Sequence, residues 1–456
     1  MNKRGLRWKA AAVFLVAAGV VAFAVNELRS VVSLHRLTLP MVEYENLASQ
    51  YEIETVAEFP EPVASLVCER RGPNSHLIYV GTRGNAGVYR ASPRSPFAMS
   101  PLIPAMGGQP EFGLAAVSAL TLADFNRDGQ EELIALTAQE SPRGKSRAYI
   151  IGPKQLSQEM TTVDIPSSWP HGIAFVRDVF NRPAFLSAYC GYGEVVEFRL
   201  FDRKSPAGFR SQGLESRKLG VLSASGEQIA SADLFGNGTH VLIARGFKFN
   251  SAAVEIHGRD RQTPFRSAKP GVLGLGWKRI WELRENDRFG NVRFIVGRLR
   301  GGVRDLYAWW CVGLADGETE FVHYRLDQSG VVERRGLLLG AAHDFWPDEN
   351  RMVLVDADAD GVEELYFSTR AGKLWRLDVD ANIPSGDPET AKPSPPTLVA
   401  RFLSGGGPLV VSPQQSDHTR PLYLGVGTYV VKITPKKAQR GEPFKDSDDE
   451  DLFDNP

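Results

Sequence analysis

Cysteine is scarce in this chain, charge of either sign is balanced, and beyond the N-terminus there is no long apolar run. Cys68, Cys190 and Cys311 are the three cysteines among 456 residues. They lie far apart and without CxxC spacing, which excludes a disulfide framework and a thiolate zinc site; three buried thiols are expected instead. The formal net charge of -1 argues against nucleic acid as the main partner. Neutralising a phosphate backbone needs an excess of Lys and Arg on one face. The eight histidines are scattered, and there is no G-x-S-x-G, H-E-x-x-H or G-x-x-x-x-G-K-[ST] stretch. No catalytic set is therefore legible.

The one sustained apolar run is N-terminal. Lys3, Arg4, Arg7 and Lys9 precede the uncharged stretch Ala10 to Val25, a basic start and apolar continuation that mark export. The run is shorter than the roughly 20 residues that span a bilayer, although Trp8 could extend it at the interface. Ala22-Phe23-Ala24 offers a small-residue cleavage site. Residues 1–25 thus read as a signal peptide or an uncleaved signal anchor. Either places the remainder outside the cytoplasm, in a periplasm or at a cell surface, with residues 8–25 holding an inner membrane if they are retained. Residues 26–50 read as a spacer.

Glycine (44) and proline (29) are plentiful, and from Tyr51 the texture is one of short apolar segments joined by turns. The segments recur. Taking Asp124 as reference, equivalent positions fall at Cys68, Asp124, Asp178, Asp233, Gly297, Asp356 and Pro413, roughly 60 residues apart. Each is followed by an apolar strand, such as Leu133-Ile134-Ala135-Leu136 or Leu365-Tyr366-Phe367. A third strand then comes in most units, and a more polar fourth such as Val331-Val332-Glu333-Arg334-Arg335. In the fifth unit Asp287 competes with Gly297 as the reference. Gly297 keeps the strand count consistent and leaves about Leu275 to Asn291 as an insertion. Four strands per unit and seven units predict an all-β, seven-bladed β-propeller over 51–435, preceded by the signal or anchor helix. Tyr51 to Ala57 alternates like a strand and would complete the last blade, removing an open edge. Pro384 to Pro396 is expected to be a loop, and the acidic tail 436–456 to be disordered.

Two of the unit loops carry chemistry. Positions one, three, five and nine are Asp124, Asn126, Asp128 and Glu132 in one, and Asp356, Asp358, Asp360 and Glu364 in the other. Alternate side chains of a tight loop converge on its inside. Gly129 or Gly361 at position six permits the turn, and the carbonyl of Gln130 or Val362 at position seven adds an oxygen. Such an all-oxygen set with several carboxylates suits calcium, with ligands at roughly 2.3–2.6 Å, one or two ions in all. An EF-hand would need flanking helices and a ligand at position twelve, where Ala135 and Phe367 stand. The remaining alternative is an acidic turn held by its own Asx hydrogen bonds without metal. The loop at Asp233 keeps Asn237 and Gly238 but has Phe235 and Val241 at ligand positions, so it reads as an empty relative.

Asp124-x-Asn126-x-Asp128-Gly129-x-x-Glu132, its copy at 356 and the degenerate Asp233 unit resemble the FG-GAP or VCBS repeat family. That family includes the integrin α-subunit propeller and many exported bacterial proteins. Both copies carry Glu where the family usually has Asp at position nine. The resemblance implies structural calcium in loops between strands and a role in adhesion or ligand binding. In such a propeller the loops leading into each blade lie on the opposite face. Here they carry Trp169, His171, Trp277, Trp281, His343 and Trp346, which could stack a sugar or hold a peptide, or could pack between blades. The expected function is an exported, membrane-anchored, calcium-binding propeller that acts as a non-catalytic adhesion or scaffold module for a protein or glycan ligand. The alternative is a carbohydrate-active or quinone-dependent enzyme on the same face, the latter suggested by Ala371-Gly372-Lys373-Leu374-Trp375.

Overall fold

The computed structural model describes residues 44–436 except 73–74, 85–86, 93–114, 126–128, 139–145, 153–160, 166–168, 178–182, 191–193, 205–209, 222–227, 249–250, 260–271, 274–276, 286–289, 313–316, 380–394 and 414–418. The signal or anchor segment, most of the spacer, the acidic tail from 437 and most of the proline-rich stretch lie outside the described residues. So do Asn126 and Asp128.

The described chain is β throughout, apart from one helical turn at Ala342–Phe345. No helix among the described residues is long and apolar enough to cross a membrane. The anticipated N-terminal helix is thus not part of the described fold. The strands pair antiparallel with their sequence neighbours, and the architecture is a β-propeller. It has six blades, not the seven expected. The first two repeat units form one continuous seven-stranded sheet. Strand Ser75–Gly84 overshoots its partner Val88–Ala91, which reaches only from Ile78 to Gly81. Arg83 and Gly84 then pair with Ala116 and Ala115 at the start of the next unit. Backbone groups left beyond a short partner take the nearest ladder on offer, and that fuses the two units.

The stretch expected as an insertion also turns out differently. Trp277–Leu283 is a strand, and it completes the sheet of the Asp233 unit by pairing with Ser251–Arg259. The next unit begins at Asn291–Arg300, which turns through Gly301 and Gly302 into Val303–Cys311.

The chain closes on itself. Tyr51–Glu58 pairs with Tyr429–Pro435, so the sheet containing Leu409–Val411 and Leu422–Val426 is built from both ends of the described chain. Tyr44–Asn46, within the expected spacer, adds to the edge of Thr397–Phe402.

The core lies between neighbouring sheets. Leu242 and Ala244 pack against Ala184, Leu186 and Val195 of the preceding sheet. On the other face of the same strand, Val241 and Ile243 pack with Val292, Phe294 and Trp310 of the following one. Middle strands are covered on both faces, so Glu132–Ala138 is buried at every position. Polar side chains tie adjacent sheets together: the Gln228 amide donates to the Phe294 carbonyl at 2.5 Å and accepts from its N–H at 3.0 Å. Within the fused seven-stranded sheet, Ser65 Oγ donates to the Val117 carbonyl at 2.8 Å and ties the first two units together.

Candidate metal centre

Three unit loops share the same conformation at their sixth position. Gly129, Gly238 and Gly361, all at position six, have φ of 81°, 74° and 92°. A side chain at any of them would meet open space, so it is the left-handed conformation that requires glycine. Position four repeats the pattern, with Gly236 and Ala359 both at φ 64°. The Asp at position one fixes the turn. Asp356 accepts from the N–H of Asp360 (3.1 Å) and Gly361 (3.0 Å). Asp233 accepts from Asn237 (3.2 Å) and Gly238 (2.8 Å), and Asp124 from Gly129 (3.0 Å). The Asp233 loop keeps this shape although it has lost most of the carboxylates, so Asx hydrogen bonds alone are enough to form the turn. Burial pushes Asp233 upward, but the backbone N–H groups of Gly238, Asn237 and Phe235 outweigh it and hold the carboxyl below its usual range.

At 356 the side chains of Asp356, Asp358 and Glu364 each bring one oxygen to within 4.8 Å of the others. Asp360 is not one of this group, and its Oδ1 accepts from the Val362 N–H at 2.8 Å. Glu364 is fully buried at the start of strand Glu364–Thr369. Its Oε2 lies 3.4 Å from the Ala357 N–H, and Oε1 accepts from Arg376 Nη2 at 2.8 Å. Burial pushes the Glu364 carboxyl up to about 8, with Arg376 pulling the other way. Asp358 is likewise raised, first by burial and then by Asp360. Its Oδ1 is buried with no hydrogen-bond partner among the described residues. A buried carboxylate oxygen without a donor carries an uncompensated desolvation cost. Three converging carboxylates, one with an oxygen to spare, fit an oxygen-seeking divalent cation.

In the 124 loop the described ligand positions are Asp124, Gln130 and Glu132. Asp124 and Glu132 flank it, and Glu132 Oε2 accepts from the Phe125 N–H at 2.7 Å; Gln130 is half-buried. In both loops the ninth-position glutamate thus reaches back to the N–H of position two. That bond is one a shorter aspartate would reach less readily.

Sequence reasoning missed Arg376, Tyr51 and Tyr366. Tyr366 lies opposite Arg376 across its hairpin. The same arrangement recurs as Tyr79 opposite Arg90, Tyr307 opposite His323 and Tyr423 opposite Lys432. A tyrosine on the second strand of a unit with a basic residue on the third is a signal that aligned units would reveal.

The aromatic residues proposed for the other face are dispersed in burial. Trp277 and Trp346 are buried in separate cores, and Arg293 lies over the Trp346 ring at 5.6 Å. Trp281 is half-buried, edge-on to Phe235. His343 has a side chain 60% exposed and lies 3.3 Å from Asp344. Trp169 and His171 stand on strand Trp169–Arg177, and their side chains lie outside the described residues. In the Ala371–Trp375 stretch, the Trp375 indole stacks on Phe345 and donates to the Asp344 carbonyl, which docks the helical turn. Cys68 and Cys311 are free thiols, and burial raises both, Cys311 to about 11.

No protein-family profile and no curated protein sequence matches the chain. Its structure is similar to that of BBS1N in complex with ARL6DN, from a crystal soaked with lead, at 9% identity and a TM-score of 0.44, over 87% of this chain and 99% of that one. It is similar also to the Dos1 propeller, at 10% identity and a TM-score of 0.44, over 88% and 96%. The propeller assignment itself rests on the strand pairing and closure described above.

Proposed function

We propose that this chain is an exported, non-catalytic propeller scaffold of the FG-GAP type, which docks a protein partner on its rim and carries a structural divalent cation, calcium by chemistry, in the 356–364 loop. The observation that supports docking is the outer strand Gly330–Ala341. It pairs on one side only among the described residues, and Val331, Val332 and Leu338 on it are exposed. A long outer strand with exposed apolar side chains offers main-chain hydrogen bonds and side-chain anchors to a partner. Asp356, Asp358 and Glu364 would hold the cation, and its role would be to stiffen the turn. Export rests on the basic and apolar pattern of residues 1–25.

The test of docking is a pair of arrays, one of peptides and one of glycans, probed with the parent chain and with a Val332→Lys/Leu338→Lys double variant. Peptide binding that the double variant loses is the expected result. Binding confined to glycans, or peptide binding that survives the double substitution, would overturn the reading.

A further inference from the structure

Strand Lys373–Leu377 sets a positive charge against the 356 loop. Arg376 Nη2 lies 2.8 Å from Glu364 Oε1, and Nη1 lies 3.8 Å from Asp358 Oδ2. These are two of the three carboxylates that converge there. The guanidinium is anchored from behind, because it also hydrogen-bonds Tyr51, whose hydroxyl is 3.0 Å from that of Tyr366. The 124 unit differs at the corresponding place. Leu365 faces Leu377 and Tyr366 faces Arg376 in one hairpin; Leu133 faces Ile151 and Ile134 faces Ile150 in the other. The counterpart of Arg376 is therefore Ile150, which carries no charge.

We propose that Arg376 is a resident counter-ion of the 356–364 loop, competing with a divalent cation for Glu364 and Asp358 and so weakening cation binding there. A guanidinium that already donates to Glu364 must give up or share that oxygen when an ion arrives. The two positive charges would then lie side by side in a partly buried site, where like charges repel far more strongly than in water. Without an ion, the same guanidinium keeps the buried carboxylates paired, so the loop retains its shape. In this reading the carboxylates alternate between two cations, one covalently attached and one from solution. The inference rests on the cation reading of the loop given above.

The experiment is a calorimetric titration of the full-length chain with calcium chloride at neutral pH, in an Asp124→Asn background that silences the other loop. Three chains are compared: the Arg376 parent, Arg376→Ile, which copies Ile150, and Arg376→Lys, which keeps the charge but loses the planar fork. The Ile variant should bind calcium about tenfold more tightly or better, equivalent to about 1.4 kcal/mol, and the Lys variant should fall between. The Ile variant should also melt earlier than the parent in chelator and recover in calcium. An affinity in both variants equal to or weaker than the parent's, with parent-like melting in saturating calcium, overturns the role of Arg376 and leaves the cation site standing. No calcium binding in any of the three chains overturns both. If the Ile chain does not fold, the Lys chain decides, since it must still bind more tightly than the parent.

Discussion

The hydroxyls of Tyr51 and Tyr366 meet at 3.0 Å in a buried edge-to-face pair, across 315 positions of sequence. Tyr51 opens the strand that closes the ring, and Tyr366 belongs to the neighbouring sheet. The contact therefore fastens the closing strand to a sheet with which it shares no backbone ladder. Tyr51→Phe removes the hydroxyl and leaves both Tyr366 and Arg376 without this partner, a loss of about 1–3 kcal/mol. Urea unfolding of the two chains measures it. A change below about 0.5 kcal/mol would show that the Tyr51 hydroxyl adds nothing beyond packing.

The other side of the closing sheet is fastened by His76, whose Nε2 lies 2.7 Å from the Tyr423 hydroxyl. Burial, reinforced by Lys432, holds the imidazole below its ordinary value. The folded chain then binds this proton less readily than the unfolded chain does. Stability from the contact is present above the unfolded value of about 6.5 and is lost as pH falls through the lower folded value. His76→Gln should remove that part of the slope. Urea midpoints measured from about pH 5 to about pH 8 should converge for the two chains on acidification; parallel curves would refute the assignment.

Gly361 has φ 92° with open space around it, so a methyl group there meets no neighbour and only the backbone objects. Gly361→Ala should cost about 1–2 kcal/mol. Gly238→Ala, in the loop with the same turn and fewer carboxylates, should cost a similar amount. Thermal melts of both variants in chelator make the comparison, and a much larger loss at Gly361 would mean that the turn depends on more than φ.

Gln228 binds both backbone groups of Phe294, the side-chain equivalent of one rung of ladder between two sheets. Gln228→Leu keeps the bulk and strands both groups, and should destabilise by about 1–3 kcal/mol. Gln228→Glu keeps the acceptor for the Phe294 N–H but sets a carboxylate oxygen against its carbonyl, so it should recover at most part of the loss. Denaturant unfolding of the three chains gives the ranking.

Calcium at about a hundredfold over its Kd should stabilise the chain by ~2.7 kcal/mol per saturated site. Asp358→Asn should remove the contribution of the 356 loop, whereas Asp233→Asn should leave the calcium response intact while lowering stability, because the Asp233 carboxylate accepts from the backbone N–H groups of its own turn. Melts with calcium and with chelator separate the two. A parent midpoint that does not move with calcium would sink the structural-cation reading.

How much of this was legible depended on range. The apolar stretches became strands close to where alternation set them: Leu365-Tyr366-Phe367 within Glu364–Thr369, and Val331 to Arg335 within Gly330–Ala341. The loop glycines were legible for the same reason, since a left-handed φ is a local demand. The strand Trp277–Leu283 was not, because a half-exposed outer strand shows little periodicity, and the stretch passed for an insertion. The number of blades was not legible either. It turns on whether Arg83 and Gly84 find Ala116 and Ala115, a pairing across residues that carry no pattern.

The same division runs through the candidate metal centre. Sequence alone determined the acidic positions, the turn glycines and the repeat that produces them, because each is a matter of neighbours a few residues apart. Only the tertiary structure decided that Asp360 stands outside the converging group, that Glu364 is wholly buried, and that Arg376 and Tyr51 stand behind the carboxylates. Those facts depend on which strand lies beside which once the ring is closed, and burial, charge pairing and the ordering of a site are properties of that closure.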